Sequence, residues 1–170
     1  SAAAPFVPDV VVMGKPMRNG YPVAATAMRP EIAERFGRDM RYFNTFGGNP
    51  VAMAAAQAVL DVLRDEELQE NARVVGERLR AQVRELDHPC IGDVRGAGLF
   101  IGVELVHPDG SEDGDLTLAV VNGLQQRRVL VATGGLHNNV LKVRPPLVLS
   151  YADAERFATE LDATLASLGR

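Results

Sequence analysis

A lysine stands where an apolar run breaks into a turn, in Val10-Val11-Val12-Met13-Gly14-Lys15-Pro16-Met17-Arg18-Asn19-Gly20-Tyr21-Pro22. The β-branched stretch before it and the Gly/Pro turn after it predict a rigid backbone that can hold the amine out of water. Desolvation disfavours the ammonium form, so such an amine can act as a nucleophile toward a carbonyl carbon and form a Schiff base. A lysine at a turn is also, more commonly, a solvated residue. A second segment bears on the choice: Tyr42-Phe43-Asn44-Thr45-Phe46-Gly47-Gly48-Asn49-Pro50 leads a hydroxyl and two glycines into an Ala-rich stretch. Asn49 reads as an N-cap and Pro50 as the first helical residue, which sets the positive end of a helix beside the Gly47-Gly48 turn. An ordinary capped helix start would look the same.

A third group of cations lies far along the chain, in His137-Asn138-Asn139-Val140-Leu141-Lys142-Val143-Arg144-Pro145-Pro146-Leu147. If this is a strand, Lys142 and Arg144 share one face and can point at a single anion. A solvated strand edge is the alternative.

The elements that must carry these residues follow from periodicity. Residues 9–13 read as a buried strand and 23–28 as a second short one. Pro30 starts a short helix that Gly37 ends. From Asn49 to about Arg64 the spacing of Val51, Ala54, Ala55, Ala58, Val59 and Val62 predicts a helix with one buried face. Another runs from about Glu66 to Leu86 on the stripe Leu68, Ala72, Val75, Leu79 and Val83. Strands are expected near 91–96 and 99–106, then a polar turn from Pro108 to Asp115, whose acidic loop Ser111 to Asp115 reads as solvated, and a helix to about Arg128. Strands near 129–131 and 140–144 precede a last helix from Ala152, capped by Ser150 and carrying Ala154, Phe157, Ala158, Leu161 and Leu165.

Composition narrows the function classes. The chain has 170 residues, 46% hydrophobic content and a net charge of −4, an ordinary globular balance without a basic footprint for nucleic acid. Its single cysteine, Cys90, rules out an internal disulfide framework and suits a reducing, cytoplasmic setting. The histidines His88, His107 and His137 are far apart in sequence, so no metal site is expected. No run approaches the length of a membrane span.

Together the segments around Lys15 and Thr45, and the stretch from Asp93 through Arg95-Gly96-Ala97-Gly98-Leu99-Phe100 to Leu105, resemble the class III aminotransferases among the fold-type-I pyridoxal-phosphate enzymes. The resemblance covers nearly the whole chain and implies an α/β and α+β architecture. It implies that residues 1–64 end the cofactor-binding large domain, 65–90 form a connecting helix, and 91–170 form the small C-terminal domain. Lys15 would carry the internal aldimine with pyridoxal 5'-phosphate, and Thr45 would reach the cofactor phosphate across a homodimer interface. The wording around Lys15-Pro16-Met17 and Lys142–Leu147 is similar to a subgroup that includes phospho-lyases of ethanolamine phosphate and phosphorylated hydroxylysine.

The departures matter. Many transaminases of the family place an arginine three residues before the paired prolines, to fork onto a substrate carboxylate; Lys142 stands there, and the arginine falls at Arg144. Arg18 and Tyr21 stand where the subgroup commonly has Gly and His. The family's carboxylate for the pyridine nitrogen, its ring-stacking aromatic and its phosphate-binding turn lie upstream of the lysine, and too few residues precede Lys15 to supply them. This chain alone is therefore expected to bind cofactor weakly or not at all, and not to turn over. The first expectation for the whole enzyme is amino transfer between an amine or amino acid and a keto acid. The alternatives are phospho-lyase action on a phosphorylated amino alcohol, or a non-catalytic piece that acts in packing or dimerisation.

Overall fold

The computed structural model describes residues 6–169, which divide after Glu66 into two compact units. In the first unit, β1 (Val10–Met13) and β2 (Ala25–Met28) form an antiparallel ribbon with Val10 opposite Met28 and Met13 opposite Ala25. Asp9 and Arg29 close its base through a 2.8 Å ion pair and a hydrogen bond from the Arg29 N–H to the Asp9 carbonyl. A 3-10 turn, Lys15–Arg18, leads to Asn19 at φ 40 and Gly20 at φ 104, left-handed positions that suit these two residue types.

Helix α1 (Pro30–Asp39) runs through Gly37 and stops where Met40 becomes extended. A glycine lowers helix propensity without ending a helix unless its own backbone leaves the helical region, so the expected stop at Gly37 falls two residues short. Helix α2 (Pro50–Asp65) starts on the Asn49 cap and matches the expected span.

The expected burial of this unit does not hold. All four residues of β1 are exposed, and α2 buries only Ala52, leaving Val51 and Val62 open. Periodicity identifies the face that would be buried, but a two-stranded ribbon supplies no second layer to cover it.

The second unit has its own core. Helix α3 (Leu68–Arg84) buries Leu68, Ala72, Val75, Leu79 and Val83, the stripe expected from sequence. It packs on β3 (Ile91–Ala97) and β4 (Phe100–Leu105), a hairpin with a bulge between Ile91 and Asp93. Helix α4 (Gly114–Gln126) covers β5 (Ala132–Gly134) and β6 (Val140–Val143), and α5 (Tyr151–Ser167) packs on α3 and α4. The four strands are antiparallel throughout, in the order β3-β4-β6-β5.

Two expectations in this unit need correction. The strand expected at 129–131 lies at β5, three residues later, because Arg128 takes a left-handed φ of 62 and Val129 and Val131 are spent packing against the core instead of pairing. The acidic turn is not wholly solvated: Asp113 is buried, caps α4 by accepting the Leu116 N–H at 2.8 Å, and lies 3.1 Å from His107 Nδ1. The Ser150 cap is present and complete, since the Asp153 carboxylate accepts the Ser150 N–H while the Ser150 hydroxyl accepts from the Asp153 N–H. A hydrogen bond from the Ser150 hydroxyl, with the one from its N–H, holds the Asp153 carboxyl below its ordinary range.

The approach of α3 to the β3–β4 turn depends on two glycines. A Cβ on Gly76 would lie 2.0 Å from the Gly98 carbonyl oxygen, and Gly98 itself turns at φ 52. Because the obstacle is backbone in a paired hairpin, it cannot swing aside. Gly76→Ala is expected to destabilise the fold by about 1 to 3 kcal/mol, read as a lower midpoint in urea with an unchanged slope.

Candidate functional site

The first unit places Lys15 at the head of the 3-10 turn, directly after β1, with its side chain exposed. This differs from the dry setting the sequence suggests, for the same reason β1 is exposed. The turn lies beside α2. Among the described residues no carboxylate pairs with Lys15. The Arg18 side chain lies outside the described residues, and Tyr21 is partly exposed.

Thr45 sits in a bend held by two asparagines. Asn44 Oδ1 accepts the N–H groups of Phe46 and Gly47 at 3.1 and 3.0 Å, and Asn49 donates to the Phe46 carbonyl at 2.8 Å while capping α2 through Ala52. Thr45 is exposed, and its hydroxyl takes no protein partner among the described residues. The sequence signals the role of Asn49 but not that of Asn44, whose side chain orders the turn by the local hydrogen bonding typical of Asx residues. A concavity of about 700 Å³ lies in this unit between the ribbon and the bend, lined by Val12, Val23, Thr26, Tyr42, Phe46 and Gly48. Neither Lys15 nor Thr45 lines it.

The second unit brings Lys142 and Arg144 together. Strand β4 buries Ile101, Val103 and Leu105 against the helices, so the pleat turns Phe100, Gly102 and Glu104 to the opposite face. The register then sets Arg95 opposite Gly102 on one side and Lys142 opposite Gly102 on the other. Strand β6 is interior to the sheet, so Lys142 is exposed through the open face and not through an edge. A concavity of about 360 Å³ results, lined by Arg95, Phe100, Lys142 and Arg144 over Gly96, Gly102, Gly134 and Gly135. It exists because the floor positions carry no side chain.

The three cations there are not equivalent. Arg95 is neutralised by Asp93 at 2.8 Å and Glu104 at 2.6 Å. Hydrogen bonding to Arg95, with a second bond from the Asn139 amide, holds the Glu104 carboxyl below its usual range. Lys142 and Arg144 have no carboxylate partner among the described residues, and the Arg144 guanidinium lies over the Phe100 ring at 4.1 Å. Arg95 and Phe100 were not singled out from sequence; the alternation of β4 and the hairpin register together would have placed both here.

Among the described residues no group of three or more histidine, cysteine or acidic side chains could hold a metal, and no helix is long and apolar enough to cross a membrane.

A hairpin ending in a lysine turn, a capped helix after a Thr-bearing bend, and a small four-stranded α+β unit define the C-terminal part of a pyridoxal-phosphate-dependent transferase fold. The chain belongs to the class-III aminotransferase family, whose model matches residues 2–165. It is 44% identical over 170 residues to ethanolamine-phosphate phospho-lyase homolog 1 of Caenorhabditis elegans, covering 97% of this chain and 36% of that protein. It is 45% identical over 157 residues to the alanine–glyoxylate aminotransferase 2-like protein of Drosophila melanogaster, covering 89% of this chain and 32% of the relative. Among solved structures, an Arthrobacter phospholyase in complex with phosphoethanolamine superposes with a TM-score of 0.92 at 38% identity, covering 95% of this chain and 39% of its own. The chain thus spans about a third of the length of these relatives.

Enzymes of this family use pyridoxal 5'-phosphate, and the first unit carries groups of the kinds that cofactor binds, although Lys15 and Thr45 line no common cavity among its described residues. An unpaired primary amine can bind the aldehyde, while an unpartnered hydroxyl and the N-terminus of a capped helix suit a phosphate. Thr45→Val is expected to weaken cofactor binding to the whole enzyme by about 1 to 3 kcal/mol, the loss of one hydrogen bond to a charged group. A spectrophotometric cofactor titration measures it, and an unchanged affinity removes Thr45 from the site.

Proposed function

We propose that this chain is the C-terminal part of a pyridoxal-phosphate-dependent phospho-lyase acting on a phosphorylated amino alcohol. The observation that carries the reading is the pair of cations, Lys142 and Arg144, lining one concavity on the open sheet face without a carboxylate to neutralise them. A phosphate with two negative charges matches that pair better than a carboxylate does, and a lysine in place of a planar arginine fork loses the bidentate fit a carboxylate favours. The phospho-lyase name of one relative and the phosphoethanolamine bound to a structural neighbour support the same substrate class.

In this reading the Lys15 amine would hold the cofactor and, when free, would take the proton from the carbon bearing the substrate nitrogen. The bound cofactor supplies an electron sink for the pair left on that carbon. Lys142 and Arg144 would bind the phosphate of the substrate and offset the charge it gains as its bond to carbon breaks. Thr45 acts from one protomer on the cofactor phosphate of its partner in a homodimer. Residues 1–64 close the large domain, 65–90 connect, and 91–170 form the small domain. We place the enzyme in the cytoplasm, a reducing setting that the single cysteine of this chain, Cys90, suits.

A second reading, amino transfer to a keto acid, is favoured by the aminotransferase name of the Drosophila relative and needs the same lysine. The two separate in one assay of the whole enzyme with ethanolamine phosphate. Release of inorganic phosphate without any keto acid is expected; amine transfer that requires a keto acid and frees no phosphate would establish the second reading instead. Under either chemistry Lys15→Ala is expected to abolish turnover, because the anchor and the base are lost together. Full steady-state activity in that variant would remove Lys15 from the mechanism.

A further inference from the structure

We infer that Phe100 is a positioning residue for the anion-binding arginine: its ring fixes the Arg144 guanidinium by stacking, so that the N–H edge of that group is presented to the phosphate of the substrate. The inference rests on the phosphorylated-substrate reading above and adds to it the residue that sets the affinity. The guanidinium carbon of Arg144 lies 4.1 Å from the Phe100 ring centroid, a close cation–π contact. Stacking engages the face of a guanidinium and leaves its five in-plane N–H donors available, whereas an ion pair would occupy those donors.

Arg95, in the same concavity, shows the contrast. Its Nη1 bonds both Asp93 and Glu104, so its charge is already answered within the protein. Arg144 is held by an uncharged ring and keeps its full charge for a ligand. Phe100 is 59% exposed, at the first position of β4 on the face away from the helices, and so contributes little to the core that Ile101, Val103 and Leu105 form. On that open face, beside a glycine floor, the ring lies against a guanidinium that has no carboxylate partner among the described residues.

Without the ring, Arg144 regains the rotamer freedom of a long exposed side chain and must lose it again on binding. The effect falls on binding of the anionic group and not on proton removal at the amine-bearing carbon. In the whole enzyme, Phe100→Leu is expected to raise KM for ethanolamine phosphate about three- to tenfold, with kcat changed less than about twofold. Phe100→Tyr, which keeps a π face, is expected to restore the original KM. Competitive inhibition by inorganic phosphate should weaken in parallel in Phe100→Leu, while the cofactor absorbance titration stays unchanged.

Arg144→Gln serves as the reference. If it leaves KM for ethanolamine phosphate unchanged, the phosphate is not bound at this concavity and the reading beneath the inference fails. If Arg144→Gln raises KM but Phe100→Leu does not, the phosphate site stands and the role given to Phe100 is overturned. A fall in kcat and in cofactor affinity in Phe100→Leu that Tyr does not repair would mark the ring as merely structural and also overturn it.

Discussion

The pleat of β4 governs what this molecule can do. Burying Ile101, Val103 and Leu105 against α3 and α4 obliges the alternate residues, Phe100, Gly102 and Glu104, to face away from the helices. Antiparallel register then brings Arg95 and Lys142 to either side of Gly102. A slip of one residue would bury Glu104 and expose Val103, so the hydrophobic side of the sheet fixes the position of every charge on the other side. The core and the candidate anion site are two faces of one constraint.

Glycine works in this unit at two separate levels. Gly76 and Gly98 let α3 meet the β3–β4 turn at backbone distance, which fixes the helix layer on the hairpin. Gly102 and Gly134 leave the open face shallow enough for a concavity between cationic side chains. In both places the missing side chain creates the contact or the space. Substitution would close the first by steric conflict and the second by filling it.

The two units differ in how complete they are as folded structures. The second has a core drawn from three helices and the strands β3, β4 and β6, with side-chain caps at Asp113 and Ser150 on the N-termini of α4 and α5. The first has the same quality of local signals, including the Asn49 cap and the Asp9–Arg29 closure, yet nearly all its apolar residues remain exposed. Local hydrogen bonding can set a turn or a helix start, but burial needs a second layer. The relatives compared with it are about three times as long as this chain.

Sequence by itself determined the helices, most of the strands and the residue types available for chemistry, because these depend on spacing and on local hydrogen bonding. The Asn49 and Ser150 caps, the α3 stripe and the shared face of Lys142 and Arg144 were all legible in this way. It could not say that β1 and α2 stand open, since periodicity marks an apolar face without stating whether anything covers it. Nor could it show that Asp113 is buried as a cap, or that β5 begins only after Val131. Only the tertiary structure decided that Arg95 is answered by Asp93 and Glu104 while Arg144 lies against Phe100. That choice depends on which strand is paired with which, and strand pairing brings together residues that local sequence keeps dozens of positions apart.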